Sequence, residues 1–135
     1  MLAKGCYTQF KVNMFCIDGV DIVAMKPGEG AKLIKGIFKY ARAKAPYFIF
    51  IDNINFINKR DIKDTYNQLL QELHNQDNRR IFLLTATNQP WDLDSDLCKF
   101  FQKKKYIALP FEKIRKQMLI DFMKDISHNM SGQDF

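Results

Sequence analysis

Tyr47-Phe48-Ile49-Phe50-Ile51, running into Asp52-Asn53, is the stretch that decides the fold. It has a counterpart in Ile81-Phe82-Leu83-Leu84, which runs into Thr85-Ala86-Thr87-Asn88. Each run is too short for a helix, rich in β-branched and aromatic residues, and apolar at successive positions rather than alternate ones. That pattern predicts strands buried on both faces of a sheet. In open α/β sheets, ligands bind just beyond the carboxyl ends of the strands. Asp52 and Asn88 are therefore expected side by side where a ligand would sit.

Working outward, helices and strands alternate. Residues 12–17 predict a strand, and Asp18-Gly19 a turn after it. Met25-Lys26-Pro27-Gly28-Glu29-Gly30 predicts a loop, because proline and two glycines break any regular element. A helix is expected over residues 31–44, with Leu33, Ile34, Ile37, Phe38 and Ala41 on one face, until Pro46 stops it. A second helix over 61–74 carries Ile62, Tyr66, Leu69, Leu70 and Leu73. Pro90-Trp91-Asp92 turns the chain, and Asp94 or Ser95 caps a short helix. Residues 105–109 predict a further strand. Pro110 opens a last helix with Ile114, Met118, Phe122 and Ile126 at near-helical spacing. Strands separated by helices imply a parallel sheet and the α/β class.

The 135-residue length allows one domain with a real core, and 47% hydrophobic with 27% charged residues describes a globular chain. No stretch approaches the ~20 apolar residues of a membrane span, and no signal peptide is evident. Three cysteines (Cys6, Cys16 and Cys98) without CxxC spacing predict reduced thiols and a cytoplasmic, or alternatively nuclear, protein. His74 and His128 lack metal-ligand neighbours. The net charge of +6 is concentrated in Lys99, Lys103, Lys104, Lys105, Lys113, Arg115 and Lys116, against Glu112 alone. That cluster is either a solvated face or a contact for phosphates, nucleic acid or an acidic partner.

A carboxylate at the end of a buried strand can hold Mg²⁺ through its water shell. Hydrolysis of a bound nucleotide also needs a group that takes a proton from water. The neighbour of Asp52 is Asn53, whose amide orients water but cannot accept its proton. Asn88 can reach a water or a phosphate from the adjacent strand.

The strings Ala43-Lys44-Ala45-Pro46 through Phe50-Ile51-Asp52, then Ala86-Thr87-Asn88-Gln89-Pro90-Trp91-Asp92-Leu93-Asp94, then Tyr106-Ile107-Ala108-Leu109-Pro110, resemble the AAA ATPases. Within that family they are most similar to the katanin, spastin, fidgetin and vacuolar-sorting group. Ser131-Gly132-Gln133-Asp134-Phe135 resembles the start of the family's sensor 2 helix. The resemblance implies a P-loop NTPase-like parallel sheet with helices on both faces over residues 1–110. A shortened helical lid then begins at 111–135. It implies ATP and Mg²⁺ as ligands and other AAA subunits as partners.

By that resemblance Asp52 matches the Walker B aspartate, the Mg²⁺ and nucleotide contact, and Asn88 matches sensor 1. Asn53 stands in place of the catalytic glutamate. The arginine fingers fall near Cys98, Lys99 and Phe100, where only Lys99 is positive, and lysine lacks the planar fork of arginine. Lys26 occupies the pore-loop aromatic position, ahead of Gly28 and Glu29. The family's phosphate loop, G-x-x-x-x-G-K-[ST], and its first strand would lie ahead of Leu2-Ala3-Lys4 and are expected to be lacking. Residues 81–86 and 105–109 would then have to pair with each other, borrow a strand, or stay unpaired. Three readings follow: a degenerate AAA domain that acts by interaction, a fragment of a longer ATPase, and a nucleic-acid or acidic-surface binder.

Overall fold

Tyr47–Asp52 forms the middle strand of a three-stranded parallel sheet in a computed structural model that describes residues 5, 8, 9, 11–57 and 62–124. We label it β2; β1 spans Asn13–Asp18 and β3 spans Ile81–Thr85, in the spatial order β1-β2-β3. The register sets Ile17 beside Ile51, Asp18 beside Asp52, and Ile51 beside Thr85. All three strands therefore end together, and the polar residues that follow them share one rim.

Helices α1 (Gly19–Val23), α2 (Glu29–Ala43), α3 (Lys63–Leu73) and α4 (Ser95–Phe100) complete the first of two compact units, residues 1–102. Helix α2 starts after Gly28, whose φ of 81° is a left-handed conformation that suits glycine. Its apolar residues recur at helical spacing, so Ile34, Ile37, Phe38 and Ala41 lie on one buried stripe. They pack with Tyr47, Ile49 and Ile51 of β2, Leu69 of α3 and Leu97 of α4 in one core. Each of the isoleucine, leucine and phenylalanine side chains contributes ~1.5–3 kcal/mol on burial.

Only one face of the sheet enters that core. Phe48 and Phe50 are half-buried, Cys16 is exposed, and Phe82 is 59% exposed while stacking on Phe48. The expectation of strands buried on both faces therefore holds fully for neither run. The odd-numbered residues of β2 are buried, and the even-numbered ones are intermediate.

A polar clasp joins α2, α3 and the turn of 3₁₀ helix at Gln76–Arg80. Arg42 Nη2 donates to Glu72 Oε2 at 2.8 Å, and Arg42 Nη1 to Asn78 Oδ1 at 3.3 Å. Gln68 Nε2 donates to the other Glu72 oxygen at 2.8 Å, and Asn78 Nδ2 to the Glu72 carbonyl at 2.6 Å. Glu72 is 6% exposed, so these donors offset the desolvation of its charge.

Two expectations are corrected. Asp18-Gly19 is not a turn: Gly19 begins α1, and Asp18 caps it by accepting from the Val20 N–H at 2.9 Å. Residues 105–109 do not form a strand; residues 103–111 carry neither helix nor strand. A strand needs a neighbour for its backbone groups, and among the described residues these have none in the sheet. They belong to the second unit, residues 103–135, whose helix α5 spans Glu112–Met123. Ile114, Met118 and Phe122 of α5 are exposed, while Ile126 and residues 131–135 lie outside the described residues. Among the described residues no helix is long and apolar enough to cross a membrane.

Candidate functional site

The rim at the strand ends begins with Asp52, half-buried as β2 runs out. Its Oδ1 accepts from the backbone N–H of Asn53 at 2.9 Å. Asn53 turns the chain in the left-handed region, with φ 49° and ψ 42°, which asparagine tolerates better than most residues. That turn sends its side chain toward β1. Asn53 Nδ2 donates to Asp18 Oδ1 at 3.2 Å and to Asp18 Oδ2 at 3.3 Å. Gly19 permits the approach, because a Cβ there would lie 2.4 Å from the Asn53 carbonyl oxygen.

The β2 and β3 ends are stapled together. The Ala86 N–H donates to the Ile51 carbonyl at 3.0 Å, and the Ile54 N–H to the Ala86 carbonyl at 3.2 Å. Asn55 is 7% exposed. Its Nδ2 donates to Gln89 Oε1 at 3.0 Å, and its Oδ1 accepts from Thr87 Oγ1 at 2.9 Å. Thr87 Oγ1 in turn accepts from the Gln89 N–H at 3.0 Å. Asn88, between these two fixed residues, is exposed. The rim thus brings Asp18, Asp52 and Asn53 together and sets Asn88 at the end of the neighbouring strand.

Lys99 and Lys26 lie elsewhere. Lys99 Nζ donates to Asp96 Oδ1 at 2.7 Å on the exposed face of α4, and this bond raises its pKa. Lys26 is exposed in the loop before α2, where its N–H donates to Glu29 Oε2 at 3.3 Å. Gly28 and Glu29 of the same loop serve to start α2. Helix α4 itself is set by Asp94, whose Oδ1 accepts from the Asp96 and Leu97 N–H groups at 2.8 and 3.0 Å. Its other oxygen accepts from Tyr66 Oη. Burial, then the bond to Asp94, raises the pKa of Tyr66. Burial works to raise Asp94 as well, but the bonds from Tyr66, Leu97 and Asp96 outweigh it and lower its pKa.

Sequence reasoning missed Asp18, Asn55, Thr87 and Gln89. The signal for Asp18 was present: Met14-Phe15-Cys16-Ile17 also ends in a carboxylate, as β2 does. Among the described residues no group of His, Cys, Asp and Glu is arranged to hold a metal by itself. A Mg²⁺ ion held mainly by its waters and by phosphate needs less, and Asp52 suits that part. Asn53 does not suit the part of a base, since its amide has no proton-accepting nitrogen.

The family described as "ATPase family associated with various cellular activities (AAA)" matches residues 1–109. Protein SUPPRESSOR OF K(+) TRANSPORT GROWTH DEFECT 1 of Arabidopsis thaliana is 32% identical over 145 aligned residues, covering 99% of this chain and 33% of that protein. Fidgetin-like protein 1 of Caenorhabditis elegans is 30% identical over 144, covering 99% of this chain and 24% of that protein. The crystal structure of the FIGL-1 AAA domain in complex with ADP superposes with a TM-score of 0.77 at 32% identity. It covers 88% of this chain and 42% of its own. The chain thus spans a quarter to a third of the curated relatives it matches here.

Proposed function

Because the chain belongs to the AAA family of ATPases, we propose that it is a hydrolysis-deficient AAA domain that acts by interaction with, or regulation of, other AAA subunits. The observation that carries this reading is the Asn53–Asp18 hydrogen bond. An amide stands where the resemblance places the base, and it is engaged with β1. Loss of paired arginines around Lys99 and of the aromatic at Lys26 supports the same reading. A domain with this pattern keeps its core while its catalytic and substrate-gripping side chains are gone. Asp52 and Asn88 retain the chemistry to contact a Mg²⁺-nucleotide, which would bind without being turned over.

The experiment is to add the chain to an active AAA relative and follow that partner's ATP turnover. A saturable change in turnover supports the reading, and no change at any ratio counts against it.

A second reading is that these residues are the Walker B and sensor 1 portion of a longer ATP-binding AAA protein. It is favoured by the quarter to a third of the relatives' length that the chain spans. In that protein too, Asn53 would slow hydrolysis and favour retention of bound nucleotide.

A further inference from the structure

We propose that the outer face of α2 binds single-stranded nucleic acid, with phosphates on Lys32, Lys35 and Lys39 and a base on Tyr40. The proposal stands apart from the nucleotide reading above, and every residue that builds this face lies within the unit of residues 1–102.

Helical spacing builds the face. Ile34, Ile37, Phe38 and Ala41 turn inward, which leaves Lys32, Gly36, Lys39 and Ala43 at i, i+4, i+7 and i+11 along one outward row. All four are exposed. Lys35 flanks the row on the side where Arg42, two turns on, meets Glu72 of α3. Tyr40 flanks it on the other side, where its ring meets Phe15 of β1.

Two features of this row weaken the helix. Lysines at 32, 35 and 39 repel one another across i+3 and i+4 spacings, and among the described residues none of the three forms an ion pair. Gly36 lies in the interior of a 15-residue helix, where only proline is a poorer choice. A Cβ at Gly36 would meet nothing within 4 Å, so no packing contact calls for glycine there. A polyanion crossing the helix between the lysines gives both features a use: the charges hold it, and the missing side chain lets it come close.

The remaining pieces select nucleic acid. Lys32 and Lys39 stand ~10 Å apart along the axis, about the rise of three stacked nucleotides at ~3.4 Å each. Tyr40 is 50% exposed, and Phe15 and Tyr47 hold its ring edge-on, with centroids at 5.6 and 5.9 Å. A fixed, half-open ring beside a row of lysines pairs a stacking platform with a phosphate track, as single-strand binding requires. A duplex would offer this ring no unstacked base, and an acidic peptide would leave it unused. The Arg42–Asn78 bond holds the turn at Gln76–Arg80 against α2, and its exposed Arg79 and Arg80 extend the basic surface. Glu29 and Asp77 bound the face at its two ends, and α2 carries no carboxylate from Lys32 to Ala43.

The test is fluorescence anisotropy of a labelled oligothymidine of ~12 nucleotides with the full chain, at rising salt. Binding is expected to fall with salt at a log–log slope of about −2, as three phosphate contacts on a single strand give. Lys35→Glu with Lys39→Glu should weaken binding ~tenfold more than Lys103→Glu with Lys104→Glu, which changes the net charge equally. All four lysines are exposed, so circular dichroism should show both variants folded. Gly36→Glu should weaken binding ~tenfold while urea denaturation shows stability unchanged or raised, because glutamate is the better helix former. Tyr40→Phe should bind as wild type does, and Tyr40→Leu about fivefold more weakly. No binding at low salt overturns the proposal, as does equal loss in the two lysine pairs or binding indifferent to Gly36→Glu. Displacement by polyglutamate as effectively as by unlabelled oligothymidine also overturns it, and makes the partner an acidic protein.

Discussion

The Asn53 amide spans from the end of β2 to the end of β1 and donates to both oxygens of Asp18, at 3.2 and 3.3 Å. The pairing puts the acid on β1 and the amide on β2. Asp18 thus accepts from Asn53 and from the Val20 N–H, while the amide itself has no proton-accepting nitrogen with which to act as a base.

Asn53→Glu should therefore not create activity by itself. It would set a second carboxylate against Asp18, and like charges at that distance raise the pKa of one of the pair. A raised folded-state carboxylate pKa means the folded state binds more protons, so stability falls as pH rises through that pKa. Thermal melts should show Asn53→Glu less stable than wild type at pH 8 by ~1 kcal/mol and closer to it at pH 5. Adding Asp18→Asn should remove the deficit at pH 8.

Arg42→Ala should be among the most damaging single changes outside the core. It leaves Glu72, whose side chain is 7% exposed, without its cation, while the Arg42 side chain at 20% is only partly shielded. Partial solvent access trims the ~3–5 kcal/mol expected for a fully buried pair to about 2–3 kcal/mol. Urea denaturation should show this loss, and the double change Arg42→Met, Glu72→Met should recover most of it.

Asp94→Asn should weaken the attachment of α4 to α3 by ~1 kcal/mol, since asparagine keeps the helix cap but gives the Tyr66 hydroxyl a neutral amide in place of a carboxylate. The folded-state pKa of Asp94 is lowered from 3.8, so the carboxylate's contribution is present above that value and is lost as pH falls below it. Denaturation midpoints of the wild type and the variant should differ at pH 7 and converge as pH falls through the lowered pKa of Asp94.

Most of the fold was legible because burial leaves its mark along the chain. The runs at 47–51 and 81–84 read as strands, the stripe from Leu33 to Ala41 as a helix face, and Asp94 or Ser95 as a cap, of which the structure uses Asp94. Residues 105–109 misled because Tyr-Ile-Ala-Leu is a good strand sequence whether or not a neighbour is available to pair with it. Partner availability is a long-range fact, and no local pattern carries it. Asp52 and Asn88 were singled out from their place at strand ends, and the structure sets them at the ends of β2 and β3. The Asp18–Asn53 bond needed the register of β1 on β2, which aligns Asp18 with Asp52 across 33 residues of intervening chain.

Asp52→Ala should remove the Mg²⁺-dependent part of nucleotide affinity, and Asn88→Ala should weaken binding with or without the metal. Titration of a fluorescent ATP analogue with and without Mg²⁺ separates the two. An Asp52→Ala chain with unaltered affinity would show that this carboxylate does not face a nucleotide.

Single-turnover hydrolysis of Mg²⁺-ATP with protein in excess tests whether a domain with Asn53 in place of the base is hydrolysis-deficient, as proposed. No phosphate release above the uncatalysed rate is expected, in wild type and in Asp52→Ala alike. Turnover near the ~10 s⁻¹ typical of enzymes, abolished by Asp52→Ala, would contradict it.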